Sequence, residues 1–129
     1  MEPNEELVVA RRLSVDARPS WSDVTSAGTF RVEPDGQFDR HFHDCDEYWL
    51  VFSGRARVLV GSRTHDVGPG DIVCTPTGTV HDVVGVFETL EAFWFEGRTP
   101  EGGRIGHLHE TPEDAAGHVV PRLTEEGPT

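Results

Sequence analysis

Residues 36–54 read GQFDRHFHDCDEYWLVFSG, and within them HFHDCDEYW occupies positions 41–49. His41 and His43 stand two apart, Glu47 follows after three residues, and the aromatic and aliphatic run YWLVF (48–52) comes next. In an extended chain the side chains at i and i+2 project from one face, so both histidines can point inward together. Imidazole nitrogens combined with a carboxylate oxygen suit a divalent transition metal. Taken alone, the same spacing also describes a solvated polar loop leading into a hydrophobic strand.

The flanking sequence is strand-like on both sides. TFRVE (29–33) alternates and ends at the turn former PDG. YWLVF is closed by Ser53-Gly54, and RARVLV (55–60) alternates large and small residues up to Gly61-Ser62, a two-residue hairpin turn into RTHDV. GPGD (68–71) precedes IVCT (72–75), and Pro76 and Gly78 precede HDVV (81–84) and TLEAFWF (89–95). Six or more short, closely spaced strands predict an all-β sandwich or closed barrel. One domain is expected over 1–129, with an N-terminal arm (1–28), a barrel core (29–95) and a C-terminal tail (96–129). The arm, with LVVA (7–10) as its one apolar run, can add an edge strand or wrap the barrel. In the tail, TPEDAAG (111–117) reads as a short helix capped by Thr111, started by Pro112 and stopped by Gly117.

Composition narrows the partners. The 129 residues carry a formal charge of −12, and all 11 basic residues are arginine. Such a surface repels phosphate backbones and anionic lipid, so neither nucleic acid nor membrane is expected, and a small neutral or cationic substrate fits better. The first residues are acidic and lack a long apolar run, and only Cys45 and Cys74 are present, as in a cytoplasmic protein with reduced thiols.

A second block sharpens the first. Gly36 to Gly54 reads G-x4-H-x-H-x3-E-x6-G, and GDIVCTPTGTVH (70–81) reads G-x5-P-x-G-x2-H. Together they resemble the two motifs of the cupin superfamily, in its small, single-domain, metal-binding form. The resemblance covers about residues 30–95 and implies a double-stranded β-helix, a jelly-roll barrel with a metal in its mouth. It implies His41, His43, Glu47 and His81 as ligands of one divalent ion (Fe, Mn, Ni, Cu, Co or Zn) and a homodimer as assembly. The sequence departs from the family pattern in having one residue fewer before His41, and Gly85 where the family often has Asn.

Other residues acquire expectations from position. If Glu47 points inward, so do Trp49 and Val51, which become candidate substrate contacts; for Trp49, packing into the core is an equal alternative. Phe93 and Phe95 alternate with Leu90, Ala92 and Trp94, and either set can face the cavity. Arg57, sharing a strand face with Arg55, is a candidate grip for an anionic group, with a solvated face as the alternative. Cys45 can bind a soft metal, yet a non-ligating thiol is expected. His107 and His109 repeat the HxH pattern without a matching carboxylate and are expected on a surface loop. The expected function is a metal-dependent enzyme on a small organic substrate. A dioxygenase comes first, because no base can be placed from Tyr48 or His65, with a Lewis-acid isomerase, lyase or cyclase beside it. A non-catalytic binding module for a sugar or metabolite is the alternative.

Overall fold

The computed structural model describes residues 9–115 and 118–124. Among these the strands are β1 (Ser26–Val32), β2 (Gln37–Phe38), β3 (Glu47–Val60), β4 (Arg63–Val67), β5 (Ile72–Thr75), β6 (His81–Glu96) and β7 (His118–Val119). One short helix, α1 (Pro112–Ala115), lies in the tail. All strand pairings are antiparallel. β3 and β6 run side by side as the spine, β1 flanks β6, and the free edge of β3 is shared by β5 along its first half and β4 along its second. β2 and β7 form a separate small sheet. No helix among the described residues is long and apolar enough to cross a membrane.

Two expected breaks are instead bends within long strands. Ser53-Gly54 does not end a strand. It sits where the β3–β6 register shifts between Val51 and Ser53 and again between Ser53 and Arg55. Gly54 has φ 81°, and a Cβ there would meet the Thr89 carbonyl oxygen at 1.8 Å. Only glycine lets the crossing strands approach so closely, so the residue marks a bulge. The expected segments 81–84 and 89–95 likewise join into β6. The Gly61-Ser62 hairpin is as expected, with Val60 paired to Arg63 across it.

Alternation sorts the side chains. Val51, Ala56 and Val58 of β3 meet Val83, Val86, Leu90 and Ala92 of β6 in the core, each buried Val or Leu contributing about 1.5–3 kcal/mol. Tyr48, Phe52 and Phe93 face outward and are 43%, 45% and 39% exposed. From Leu90 onward the even-numbered residues of β6 point inward, which places Trp94 and Glu96 on the interior side.

The tail closes the structure. The Val120 N–H donates to the Gly36 carbonyl (2.6 Å) and its own carbonyl accepts from Asp35 (2.8 Å), while Leu123 and Pro121 bond the two backbone groups of Val86 (2.9 and 3.0 Å). The Asp114 N–H donates to Thr111 Oγ1 at 3.1 Å, the expected cap. The expected stop at Gly117 and the first half of LVVA fall outside the described residues; Leu13 bridges to Ala27, so the arm does extend the β1 edge. Gly85, the departure from the family pattern, is explained here: a Cβ at that position would lie 2.4 Å from Leu123 Cδ1. Gly85→Asn should therefore cost about 1–3 kcal/mol in a urea melt. Adding Leu123→Ala should recover part of that loss, and an unchanged midpoint in the single variant would rule out the contact.

Candidate metal centre

The segment entering β3 carries a ladder of donor side chains. Asp39, His41, His43, Cys45 and Glu47 alternate inward, Asp39 half-buried and the other four buried, while Asp46 between them is exposed. His81 joins this ladder through the backbone: His41 and His81 exchange N–H···O bonds of 3.2 and 2.8 Å. The turn that delivers it is held by Thr79 N–H to the Pro76 carbonyl (3.0 Å) and Gly78 N–H to the His43 carbonyl (2.8 Å). Asp46 accepts from both Thr77 N–H and Thr77 Oγ1–H at 2.9 Å, fastening the two motif loops together. Outside the ring pair, Arg40 donates to Asp82 at 2.9 Å and clamps the same two strands.

Hydrogen bonding fixes the tautomers. Nδ1 of His41 donates to the Asp39 carbonyl, that of His43 to the Gly106 carbonyl (2.9 Å) and that of His81 to the Thr79 carbonyl (3.2 Å). A carbonyl only accepts, so each proton resides on Nδ1 and each Nε2 presents a lone pair. The three lone pairs converge with the Glu47 carboxylate, all four donor atoms lying within 4.8 Å of one another. Nε2 of His41 and His81 are 3.0 Å apart, and Nε2 of His43 is buried without a hydrogen-bond partner. Lone pairs at such distances repel unless a cation lies among them, so the donor set fits a divalent transition ion.

The electrostatics agree. Burial, followed by the neighbouring His81, pushes His41 down to about 3, so it stays neutral and ligand-ready. Burial opposes charge on His43 and on Glu47, but the attraction between ring and carboxylate 3.4 Å apart outweighs it, raising His43 and holding Glu47 far below the usual carboxylate range. With no ion between them, the pair shares a proton that a metal would displace.

The centre lies on the wall of a cavity of about 250 Å³, lined by Phe30, Phe38, His41, Glu47, Trp49, Trp94, Glu96 and His107. Trp49 is both packed and on the cavity wall: it is 2% exposed, packs on Phe30 and Phe38, lines the cavity and donates Nε1–H to Glu47 at 3.1 Å. Val51 is elsewhere, in the hydrophobic core away from the cavity wall. Arg57 is a correction. The strand turns it outward, where it makes a two-pronged pair with Asp66 (2.7 and 3.1 Å) and lies against Phe87, so it grips no ligand in this cavity. Tyr48 and His65 are also outside it, on exposed strand faces. Cys45 is buried, and burial followed by Glu96 raises its thiol to about 11, which suits a neutral neighbour and not a thiolate ligand. Cys45 and Cys74 are both free.

Two site residues escaped the sequence reading. Glu96 lies directly opposite Glu47 in the β3–β6 register, with a carboxylate oxygen 3.4 Å from His43 Nε2. Antiparallel pairing of the two strands is the signal that reveals it. His107, expected on a surface loop, stacks face to face on His41 at 3.6 Å and donates Nδ1–H to Asp39 (2.8 Å), which His109 grips from its other side (2.8 Å). The HxH of the tail is thus a clasp around the residue whose carbonyl orients His41.

The sequence profile of the family described as "Cupin domain" matches residues 28–96. An uncharacterized protein, y4oW of Sinorhizobium fredii, is 42% identical over 104 residues, covering 69% of this chain and 48% of its own. Another, SCO3923 of Streptomyces coelicolor, is 32% identical over 65 residues, covering 50% and 62%. The chain therefore spans roughly half to three fifths of these curated relatives. Among solved structures, the DMSP lyase DddQ of Ruegeria pomeroyi superposes with a TM-score of 0.65 at 23% identity, covering 79% of this chain and 51% of that one. Oxalate decarboxylase of Bacillus subtilis gives 0.60 at 22%, covering 71% and 26%. At these identities they establish the jelly-roll fold alone.

Replacing His43 or His81 with Ala should abolish stoichiometric metal binding, measured by elemental analysis after dialysis, whereas Arg57→Ala should leave it at the wild-type level. Full metal retention in both histidine variants would place the ion elsewhere.

Proposed function

The chain belongs to the cupin family, and on that footing we propose that it is a metal-dependent enzyme of the isomerase or lyase kind. Its substrate is a small organic molecule, acted on where the His41–His43–Glu47–His81 centre meets the aromatic cavity. The observation that carries this reading is the placement of Glu96. A second carboxyl group stands on the cavity wall beside the ligands, within reach of a molecule bound there. An oxygenase is the first expectation from sequence only because no proton-handling group can be located there; Glu96 and His107 remove that reason.

A divalent ion held by the four residues would supply Lewis-acid polarisation of a substrate oxygen. The chain's own groups do the rest. Phe30, Phe38, Trp49 and Trp94 exclude water and orient the apolar part of the substrate. Burial, followed by the hydrogen bond to Glu47, raises the Glu96 carboxyl to about 7, and its place on the wall lets it hold or accept a proton at the reacting carbon. His107 Nδ1–H is tied to Asp39, which fixes the ring plane and turns the remaining ring nitrogen outward from that bond. Trp49 holds one Glu47 oxygen in place.

The discriminating experiment is turnover by the metal-loaded protein with oxygen removed, followed by product analysis. Anaerobic turnover supports the isomerase or lyase reading; turnover accompanied by stoichiometric oxygen uptake would replace it with the oxygenase. Tight metal with ligand binding but no turnover would make the chain a binding module. Glu96→Gln should lower kcat by about 10²–10⁴-fold while metal content stays at the wild-type level.

The assembly is also proposed. Tyr48, Phe52 and Phe93, with Ile72 at 62% exposure, form an outward aromatic and aliphatic surface suited to pairing with a second copy. Sedimentation equilibrium should give twice the chain mass, shifting toward the monomer for Phe52→Glu.

A further inference from the structure

The cavity's composition points to a substrate class, given the enzyme reading above. Phe30 and Trp49 are inclined by 61° with ring centroids 5.0 Å apart, Phe38 and Trp49 by 72° at 5.4 Å, and Phe30 and Phe38 by 54° at 5.9 Å. No two of the three planes coincide, and all three rings line the cavity together with Trp94. The charged groups on the wall are carboxylates, Glu47 and Glu96, beside the histidines. No arginine lines it, and the sequence contains no lysine.

Each aromatic face carries negative potential and attracts a cation. Glu96 adds a carboxyl group whose oxygens carry negative potential, its side chain only 17% exposed and its neighbour His43 shared with Glu47. A neutral apolar ligand would dehydrate this carboxylate further without compensation, whereas a cationic one would offset that cost. The kind of cation follows from hydrogen-bond supply. A primary ammonium brings three N–H donors, and outside the metal ligands the wall offers Glu96 as its one carboxylate acceptor. A fully alkylated onium group brings none and presents only polarised C–H groups to the rings. We infer that the substrate is a compact molecule bearing an alkylated onium head, held by Phe30, Phe38, Trp49 and Trp94 with Glu96 as counter-charge, and an oxygen-bearing end directed at the metal centre.

Three probes of nearly equal shape test this on the metal-loaded protein by calorimetric titration: choline, its uncharged carbon isostere 3,3-dimethyl-1-butanol, and 3,3-dimethylbutanoate. Choline should bind about tenfold or more tightly than the isostere. Trp94→Leu and Glu96→Gln should each erase most of that preference, and Trp94→Phe should keep it, with circular dichroism confirming that each variant is folded. Equal affinity for choline and the isostere, stronger binding of the carboxylate, or no binding of choline would overturn the assignment. Turnover is read separately. Selective choline binding without activity on any substrate would uphold the cage and remove the enzyme reading. Activity on an uncharged substrate, with no preference for choline, would do the opposite.

Discussion

Three backbone carbonyls govern this site. By taking the Nδ1 protons of His41, His43 and His81, those of Asp39, Gly106 and Thr79 leave three Nε2 lone pairs aimed at one point. The rest of the structure can be understood as what is needed to put those carbonyls in place. The Pro76–Gly78 turn returns the chain so that Thr79 and His81 face His41. The tail brings Gly106 against His43, and the extended approach to β3 sets Asp39 two residues before His41. A preorganised cluster of this kind costs free energy while it holds no cation, because buried lone pairs face one another without donors. That cost adds to the attraction between the donors and an ion in favouring a metal at this site.

The parts of this design that follow short-range periodicity were legible in the sequence. The i, i+2 spacing of His41 and His43, the three-residue gap to Glu47 and the turn chemistry before His81 are local, and each is legible without knowing what packs against it. The hairpin at Gly61-Ser62 and the Thr111 cap are local too. What remained illegible depends on pairing between distant residues. Gly54 reads as a turn until Thr89 is known to cross it; then it becomes a bulge. Gly85 reads as a defect in a motif until Leu123 is seen to occupy the space of a side chain. Glu96 and Trp94 reach the cavity because β6 pairs with β3 in a register that opposes Glu96 to Glu47 and Trp94 to Trp49. His107 reaches it by stacking, which spacing in the sequence cannot announce. Arg57 takes the solvated face for a related reason: three register shifts in the β3–β6 pairing precede it, so simple alternation along β3 does not carry through to its face.

The aromatic wall and the metal cluster divide the labour of recognition. The cluster supplies a cation for an oxygen atom, and the wall supplies negative ring faces, with Glu96 at the junction. Trp49 belongs to both, since one side of its indole is packed on Phe30 and Phe38 while Nε1–H holds Glu47. A change in that ring would be felt at both ends of the cavity, so substrate fit and metal geometry are not independent variables in this protein.

The clasp formed by the tail has a consequence for how the site comes into being. Phe42 and Leu108 exchange backbone hydrogen bonds of 2.9 Å, Arg104 holds Asp44, and Gly106 holds His43. These contacts join positions sixty or more residues apart, and closure of so long a loop has to precede them. A nascent chain therefore carries His41 and His43 long before it carries the carbonyl that orients His43. Until the segment around Gly106 has docked, His43 has no carbonyl to fix its tautomer. The complete donor set is therefore assembled only when a segment some sixty residues downstream of the first histidines packs against them.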